Sequence, residues 1–340
     1  RLPMTDTLTT ERTISYVGAF TEAVKLEMEG DPTVFIAGED VGAHGGVFHT
    51  FDGVQERFGE RRAVDTPISE QAIIGLGIGA AVTGLRPIVD LMFMDFTLVA
   101  ADQLANQAAK LKYMFGGEAK LPLTITTTGG AGLSAAAQHS QSLEAVFCHI
   151  PGIKVVYPSD AYDVKGLLAA SVREDNPTLF VLHKRMLGQK GVVPEERYEI
   201  PLGHAAVKRA GSDVTVVSWG KTANDCLAAA ETLAEDGIDC EVVDLRTLSP
   251  LDIDTVVASV RKTNRVIVAH EAVRFGGFGA EVAAEIQEYA FDYLDAPVGR
   301  VAAPYSPVPF TPALESRYVP DAARIAAGIR DAIARPLLGV

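Results

Sequence analysis

Cysteine is scarce in this 340-residue chain: Cys148, Cys226 and Cys240 make an odd number, with no Cys-x-x-Cys pair. That excludes a disulfide framework and a zinc knuckle, and it suits a reducing cytoplasm. An excess of positive charge is also absent. Against 30 Lys and Arg stand 44 Asp and Glu, for a net charge of −14, spread as −8 over residues 1–202 and −6 over 203–340. No basic domain or tail is available to hold nucleic acid or an anionic membrane, whereas a basic protein partner is compatible. Long apolar runs are missing as well. Ala72 to Leu85 is the longest, too short to span a bilayer and heavy in glycine. Arg1 to Arg12 is polar and has no apolar signal core, so the expectation is a soluble intracellular protein.

What is present is material for large cores. Hydrophobic residues are 48% of the chain, enough for two domains and for buried subunit contacts. The first half alternates strand and helix patterns. Helices are predicted over Thr13–Glu29, Ser69–Gly84, Phe96–Phe115 and Ala161–Glu174. Strands are predicted over Thr33–Ala37, Pro87–Met92, Leu121–Thr127, Lys154–Tyr157 and Thr178–Leu182. The stretch from 184 to 202 shows no sustained period and reads as a linker. A second unit follows, with strands Val214–Trp219, Cys240–Leu245, Val266–His270 and Val298–Ala302. Its helices are Thr222–Asp236, Ala280–Tyr289 and, after the Pro-rich piece 304–312, Pro320–Ala334. Alternation of this kind implies mostly parallel sheets covered on both faces, an α/β fold.

Several residues stand out. Glu70 ends Asp65-Thr66-Pro67-Ile68-Ser69-Glu70 and opens the glycine-rich helix, with Ser69 a candidate N-cap. A carboxyl shielded from water there would have a raised pKa and could share a proton with a nitrogen base; the plainer alternative is an acid in a first helical turn. The small residues Gly75, Gly77, Gly79, Ala80 and Ala81 invite a close backbone, so this helix is expected to pack across a subunit boundary. Gly129-Gly130-Ala131-Gly132 follows a strand but lacks both the G-x-G-x-x-G turn and a P-loop lysine, and is a weak phosphate site. His139, within Gln138-His139-Ser140-Gln141, is placed for proton transfer or is a structural histidine. Phe96 is either core or a platform for a planar ring. Asn176-Pro177 is a turn whose carbonyls could hold a cation. The remaining histidines make no metal-ligand spacing, and His270-Glu271 at a strand end is open to either reading.

These segments, in order, resemble the beta subunit of the thiamine diphosphate-dependent component of 2-oxo acid dehydrogenase complexes. The carriers are GED (38–40), DTPISE (65–70), GLRPIVDLMFMDF (84–96), NQAAKLKYMFGG (106–117), AAAQHSQ (135–141), PGIKVVYPSDAYDVKGLL (151–168), DNP (175–177), VVDLRTLSPLD (242–252) and PYSPVPF (304–310). FMDF and KYMFGG resemble the acetoin dehydrogenase branch, and His270-Glu271-Ala272 the branched-chain branch. The resemblance implies a pyrimidine-binding parallel-sheet domain (13–190), a linker (191–202) and a transketolase C-terminal-like α/β domain (203–335). It also implies an α2β2 heterotetramer with an alpha subunit, a lipoyl-bearing acyltransferase partner, and acetoin or a 2-oxo acid as substrate.

Residue roles follow from the same resemblance. Glu70 matches the glutamate that bonds the aminopyrimidine of thiamine diphosphate and favours its imino tautomer. Phe96 matches the aromatic beside that ring, and His139 the histidine facing the lipoyl acceptor. Leu121, Leu123, Thr124, Ser171, Glu174 and Asn176 match segments that bind potassium in some relatives, several of which have Asp where this chain has Glu174. The chain has no Gly-Asp-Gly and no Asn-Asn, so the diphosphate and its magnesium are expected on the alpha subunit. The C-terminal subunit of a split transketolase shares the fold and the glutamate and is the alternative. A non-catalytic α/β binding module is the rival from another class.

Overall fold

The computed structural model describes residues 12–336, so the polar N-terminal stretch lies almost wholly outside the described residues. Seven strands form one sheet, in the order Thr247–Ser249, Lys154–Val156, Thr178–His183, Thr124–Gly129, Arg86–Phe93, Val34–Gly38 and Ala63–Asp65. All neighbours are parallel except Thr247–Ser249, which runs antiparallel to Lys154–Val156. The central strands TITTTG and TLFVLH are buried along their whole length, as β-branched runs covered on both faces should be. One face packs on Tyr16–Gly30 and Ala161–Arg173 through Phe20, Val24, Leu167, Leu168 and Phe180. The other face packs on Glu70–Val82 through Ile73, Ile74 and Ile78. A second, five-stranded sheet has the order Gly299–Ala303, Val266–Val273, Val214–Ser218, Cys240–Asp244 and Ala206–Arg209, the last antiparallel. No described helix is long and apolar enough to cross a membrane.

The two units are fused rather than strung together. Thr247–Ser249 lies between elements of the second sheet in sequence, yet extends the first. Val89 and Leu123 share one core with Val217 and Val268. Lys208 reaches Asp160 at 2.7 Å and Asp163 at 2.5 Å, and Arg246 reaches Asp163 at 3.1 Å. Trp219 donates its indole N–H to Glu144 at 3.2 Å.

Three sequence expectations are corrected. The first helix begins at Tyr16, not Thr13. Thr13–Ser15 is a strand paired with Lys190–Val192, and the Ser15 hydroxyl accepts the Gly18 N–H at 3.0 Å as the N-cap. Lys190–Val192 is therefore ordered by long-range pairing where no local period showed. Phe96–Phe115 is not one α-helix. Met94–Leu98 is a 3₁₀ turn, followed by a helix to Met114 with a π segment at Gln103–Ala108. The corner is tied down by its side chains: Thr97 donates to Met94 O at 2.6 Å, and buried Asp95 accepts from Gln141 at 2.7 Å. Ser69 holds the N-cap position of Glu70–Val82 but makes no capping bond.

The glycines of that helix divide by face. A Cβ on Gly77 would meet Leu123 at 2.7 Å, so close packing on the sheet requires glycine there. Gly75 and Gly79 face open space, flanked by Leu76 and Val82, 41% and 45% exposed. An apolar stripe is left without a partner in the single chain.

Burial pushes the Glu144 carboxyl up to about 7 from an ordinary 4.5, and the Trp219 N–H offsets this only in part. A raised folded pKa gives a contribution that is full below about pH 4.5 and is lost as pH rises through about 7. Glu144→Gln keeps an acceptor for Trp219 and removes that loss. It should stabilise the chain at pH 8 by about 1–3 kcal/mol in urea unfolding, and by much less at pH 5. Equal effects at both pH values would contradict the assignment.

Candidate active site

In an open parallel sheet, ligands bind beyond the carboxyl ends of the strands, where neighbouring strands lead away in opposite directions. Val34–Gly38 leads outward to Ala63–Asp65, whereas its neighbour Arg86–Phe93 leads the other way, to Thr124–Gly129. Parallel running puts the residues after each strand on one edge. Glu39 follows the first strand, Glu70 the second, Phe96 the third, the loop from Gly130 to His139 the fourth, and Lys184 follows Thr178–His183.

The structure brings Phe96 and His139 together. The imidazole stands edge-on to Phe93 at 4.7 Å and to Phe96 at 5.4 Å between ring centres, and Phe48 packs on Phe93 at 5.0 Å. The His139 carbonyl accepts from the Lys184 ammonium, which also donates to the Ser140 hydroxyl at 3.1 Å. Burial lowers the pKa of Lys184, while the charges of Asp95, Glu271 and Glu315 oppose that. Glu70 is the first residue of its helix and is half-buried. The water shielding expected for it is thus not supplied by this chain alone. Its charge is felt by Glu39, whose carboxyl is raised by burial and then by Asp40 and Glu70.

The glycine loop has a different use from phosphate binding. Gly130 and Gly132 have φ of 89° and 99°, and non-glycine Ser134 and Ala136 have 53° and 62°. A Cβ on Gly130 would lie 2.1 Å from His183 Nε2, so only glycine fits. Backbone of this kind turns successive N–H groups into an anion-binding concavity. Here the anions are side chains of the second unit. Ala131 N–H donates to Glu271, Gly132 N–H to Glu315 at 2.6 Å, and Ser134 N–H to the other Glu315 oxygen at 2.8 Å. The second Glu271 oxygen meets His183 Nε2 at 2.8 Å. Burial raises the Glu271 carboxyl, but His183 and the Ala131 N–H outweigh it and leave it below the ordinary range. Each non-glycine residue at positive φ costs about 1–3 kcal/mol, which these bonds offset.

The sequence left Glu271 open between a functional and a merely polar reading, and gave no sign of Glu315. The strand expected to end at His270 runs on to Val273, so Glu271 lies within it. Its neighbour His270 is a packing residue. It stacks on Trp219 at 5.2 Å, and burial lowers its imidazole to about 4.

Residues 12–190 match the family described as transketolase, pyrimidine binding domain, and residues 203–325 match transketolase, C-terminal domain. The beta subunit of acetoin:2,6-dichlorophenolindophenol oxidoreductase from Bacillus subtilis (strain 168) is 46% identical, over 96% of this chain and 99% of that protein. The 2-oxoisovalerate dehydrogenase subunit beta of the same organism is 44% identical, over 94% and 98%. The chain belongs to the transketolase-like family of 2-oxo acid and acetoin dehydrogenase beta subunits. The pyruvate dehydrogenase E1 component subunit beta of Staphylococcus epidermidis (strain ATCC 35984 / DSM 28319 / BCRC 17069 / CCUG 31568 / BM 3577 / RP62A) is also 44% identical to this member, over 91% and 95%. A solved structure described as a split gene transketolase, inactive beta4 tetramer, shares the fold at a TM-score of 0.78 and 25% identity, covering 94% of this chain and 98% of that one.

In this beta subunit the residues matched to a potassium site have partners within the chain. Leu123 O accepts from Thr178 N–H at 2.9 Å, Leu121 O accepts from Leu123 N–H at 2.8 Å, and the Ser171 hydroxyl donates to Leu167 O at 2.7 Å. Thr124 pairs in register with Thr178. The side-chain oxygens already face cations. Lys154 reaches Glu174 at 2.5 Å, and Lys112 donates to Asn176 at 2.9 Å. Partial burial raises the Glu174 carboxyl, but Lys154 and Asn176 outweigh it and hold it below the ordinary range. The Leu121 and Leu123 carbonyls each accept one N–H in these bonds, which leaves a second lone pair that a cation could take. Potassium at 100 times its dissociation constant would add about 2.7 kcal/mol of stability. If potassium takes those carbonyls, thermal unfolding in matched potassium and sodium buffers should show a potassium-specific rise; none at saturating potassium would count against the site.

Proposed function

We propose that this chain is the catalytic beta subunit of a thiamine diphosphate-dependent dehydrogenase that cleaves acetoin or decarboxylates a 2-oxo acid. An alpha subunit completes it in an α2β2 assembly, and the acyl product passes to a lipoyl group on an acyltransferase. Residues 13–190 would bind the pyrimidine, and 203–335 form the transketolase C-terminal-like unit. The observation that carries the reading is one sheet edge that gathers an acid, aromatic rings and a histidine, while the glycine loop after Thr124–Gly129 is already filled by carboxylates.

The residues fit the pyrimidine end of the cofactor. Glu70 is a half-buried acid at the head of an apolar helix, with Glu39 raising the local negative charge. Thiamine diphosphate, when bound, supplies a nucleophilic carbon that attacks the substrate carbonyl and accepts the electrons of the broken bond. Glu70 would hold a proton against a pyrimidine ring nitrogen, which is acid–base tuning through a hydrogen bond. Phe96 would lie beside that ring. His139, held edge-on by Phe93 and Phe96, would present an imidazole nitrogen to the incoming acyl acceptor and move the proton there. Among the described residues no group of three or more His, Cys, Asp or Glu could hold a metal ion, and the amides of the glycine loop are occupied. Magnesium and diphosphate are assigned to the alpha subunit because this chain has no Gly-Asp-Gly and no Asn-Asn. The apolar stripe of Gly75, Leu76, Gly79 and Val82 is the surface offered to a neighbouring subunit, which would also complete the burial of Glu70.

A sugar-phosphate reaction of the split transketolase kind would need cationic groups at the crevice. Lys184 follows a strand on that edge, but its ammonium is committed to the His139 carbonyl and Ser140. The 44–46% identity to dehydrogenase beta subunits, against 25% to the split transketolase, supports the dehydrogenase reading.

Two substitutions test the roles. Glu70→Gln should lower turnover of the alpha–beta pair by roughly 10²–10⁴-fold with the assembly intact on gel filtration; near-normal turnover would sink the assignment. His139→Ala should lose more activity in lipoyl acylation than in dye reduction. Equal losses in the two assays would refute a role at the acceptor step.

A further inference from the structure

The loop that delivers His139 is held from the far side of the molecule. Glu271 lies in Val266–Val273 and Glu315 in Pro312–Tyr318, both elements of the second unit, and they are only 6% and 3% exposed. Glu315 uses both oxygens on the loop, one on Gly132 N–H and one on Ser134 N–H, with the Ser134 hydroxyl also within 3.4 Å. At the other end the Lys184 ammonium holds the His139 carbonyl, and Asp95 holds the Gln141 carboxamide at 2.7 Å.

Between these two anchors the loop is not wedged in place. A cavity of about 400 Å³ lies behind it, lined by Ala137, Gln141 and Leu143 on the loop side and by Val273, Tyr305 and Val308 opposite. Ser134 and Ala136 sit at positive φ, a conformation that L side chains abandon unless the surroundings impose it. Ala131 is packed in a small core with Ala303, Val308 and Tyr318, but Ser134 to Ala137 are only half-buried, so the bonds at the loop's ends have a large share in setting its course.

Burying two carboxylates is costly when satisfied amides alone are needed, since a water or a carbonyl would serve. We propose that Glu315, with Glu271, is a positioning residue of the second unit that fixes the Gly130–His139 loop and thereby aims the His139 imidazole. The pair makes the acceptor step depend on the second unit. The consequence for activity rests on the role of His139 proposed above; the consequence for loop order does not.

Glu315→Gln keeps the size of the side chain but leaves one acceptor oxygen for two amides. In the assembled alpha–beta complex, amide hydrogen exchange of residues 131–134 should speed up by roughly 10-fold or more, with exchange in Val34–Gly38 unchanged. Lipoyl acylation should fall by roughly 10-fold or more, and dye reduction distinctly less. Glu315→Asp, which restores two acceptor oxygens, should recover part of both losses, and it stands in should the Gln variant fail to assemble. Unchanged loop exchange, or equal losses in the two assays with wild-type acylation normal, overturns the proposal. If the wild-type complex does not acylate lipoyl at all, the proposed function falls, and the exchange measurement alone decides whether the clamp exists.

Discussion

Two buried carboxylates from one half of the chain fill the amide-lined concavity of the other. Glu271 and Glu315 take the N–H groups of Ala131, Gly132 and Ser134, which would otherwise be the natural place on this sheet edge for a phosphate. Much follows from this contact. It closes the seam between the two units together with Trp219–Glu144 and the Lys208 and Arg246 ion pairs. Ser134 and Ala136 beside it stand at positive φ, and in the proposal above the contact sets the path of the chain toward His139. It also fills the glycine nest after Thr124–Gly129, one ground on which the reading hands the diphosphate to another polypeptide.

The rest of the site is a product of parallel topology. Strands that run the same way deliver Glu39, Glu70, Phe96, His139 and Lys184 to a single edge from distant points in the sequence. Their environments differ in kind. His139 is framed by aromatic rings and by its own backbone bond to Lys184, so its place is built within the chain. Glu70 is half-buried beside a helix face with open glycines, so its surroundings are completed only by something outside the chain.

Local pattern made much of this visible beforehand. β-branched runs such as Thr124–Gly129 and Thr178–His183 read as buried strands because both faces are covered. The helix that Glu70 opens was legible from its small apolar residues, and Phe96 and His139 from the turns that follow strands. What was not legible depends on partners remote in sequence. Thr247–Ser249 joins the first sheet although its neighbours in sequence build the second. Phe96–Phe115 has helical composition, but Thr97 and Asp95 pull its start into a 3₁₀ corner through bonds to Met94 and Gln141. Glu271 and Glu315 look like ordinary acids until the fold places them 140 and 183 residues away from the amides they hold.

The central claim is that this polypeptide offers only the pyrimidine side of the coenzyme site. Calorimetric titration of thiamine diphosphate with magnesium, into the isolated chain and into the chain assembled with its alpha partner, tests it most directly. The account predicts tight binding by the pair and none of comparable strength by the chain alone. Equally tight binding by the isolated chain would contradict it.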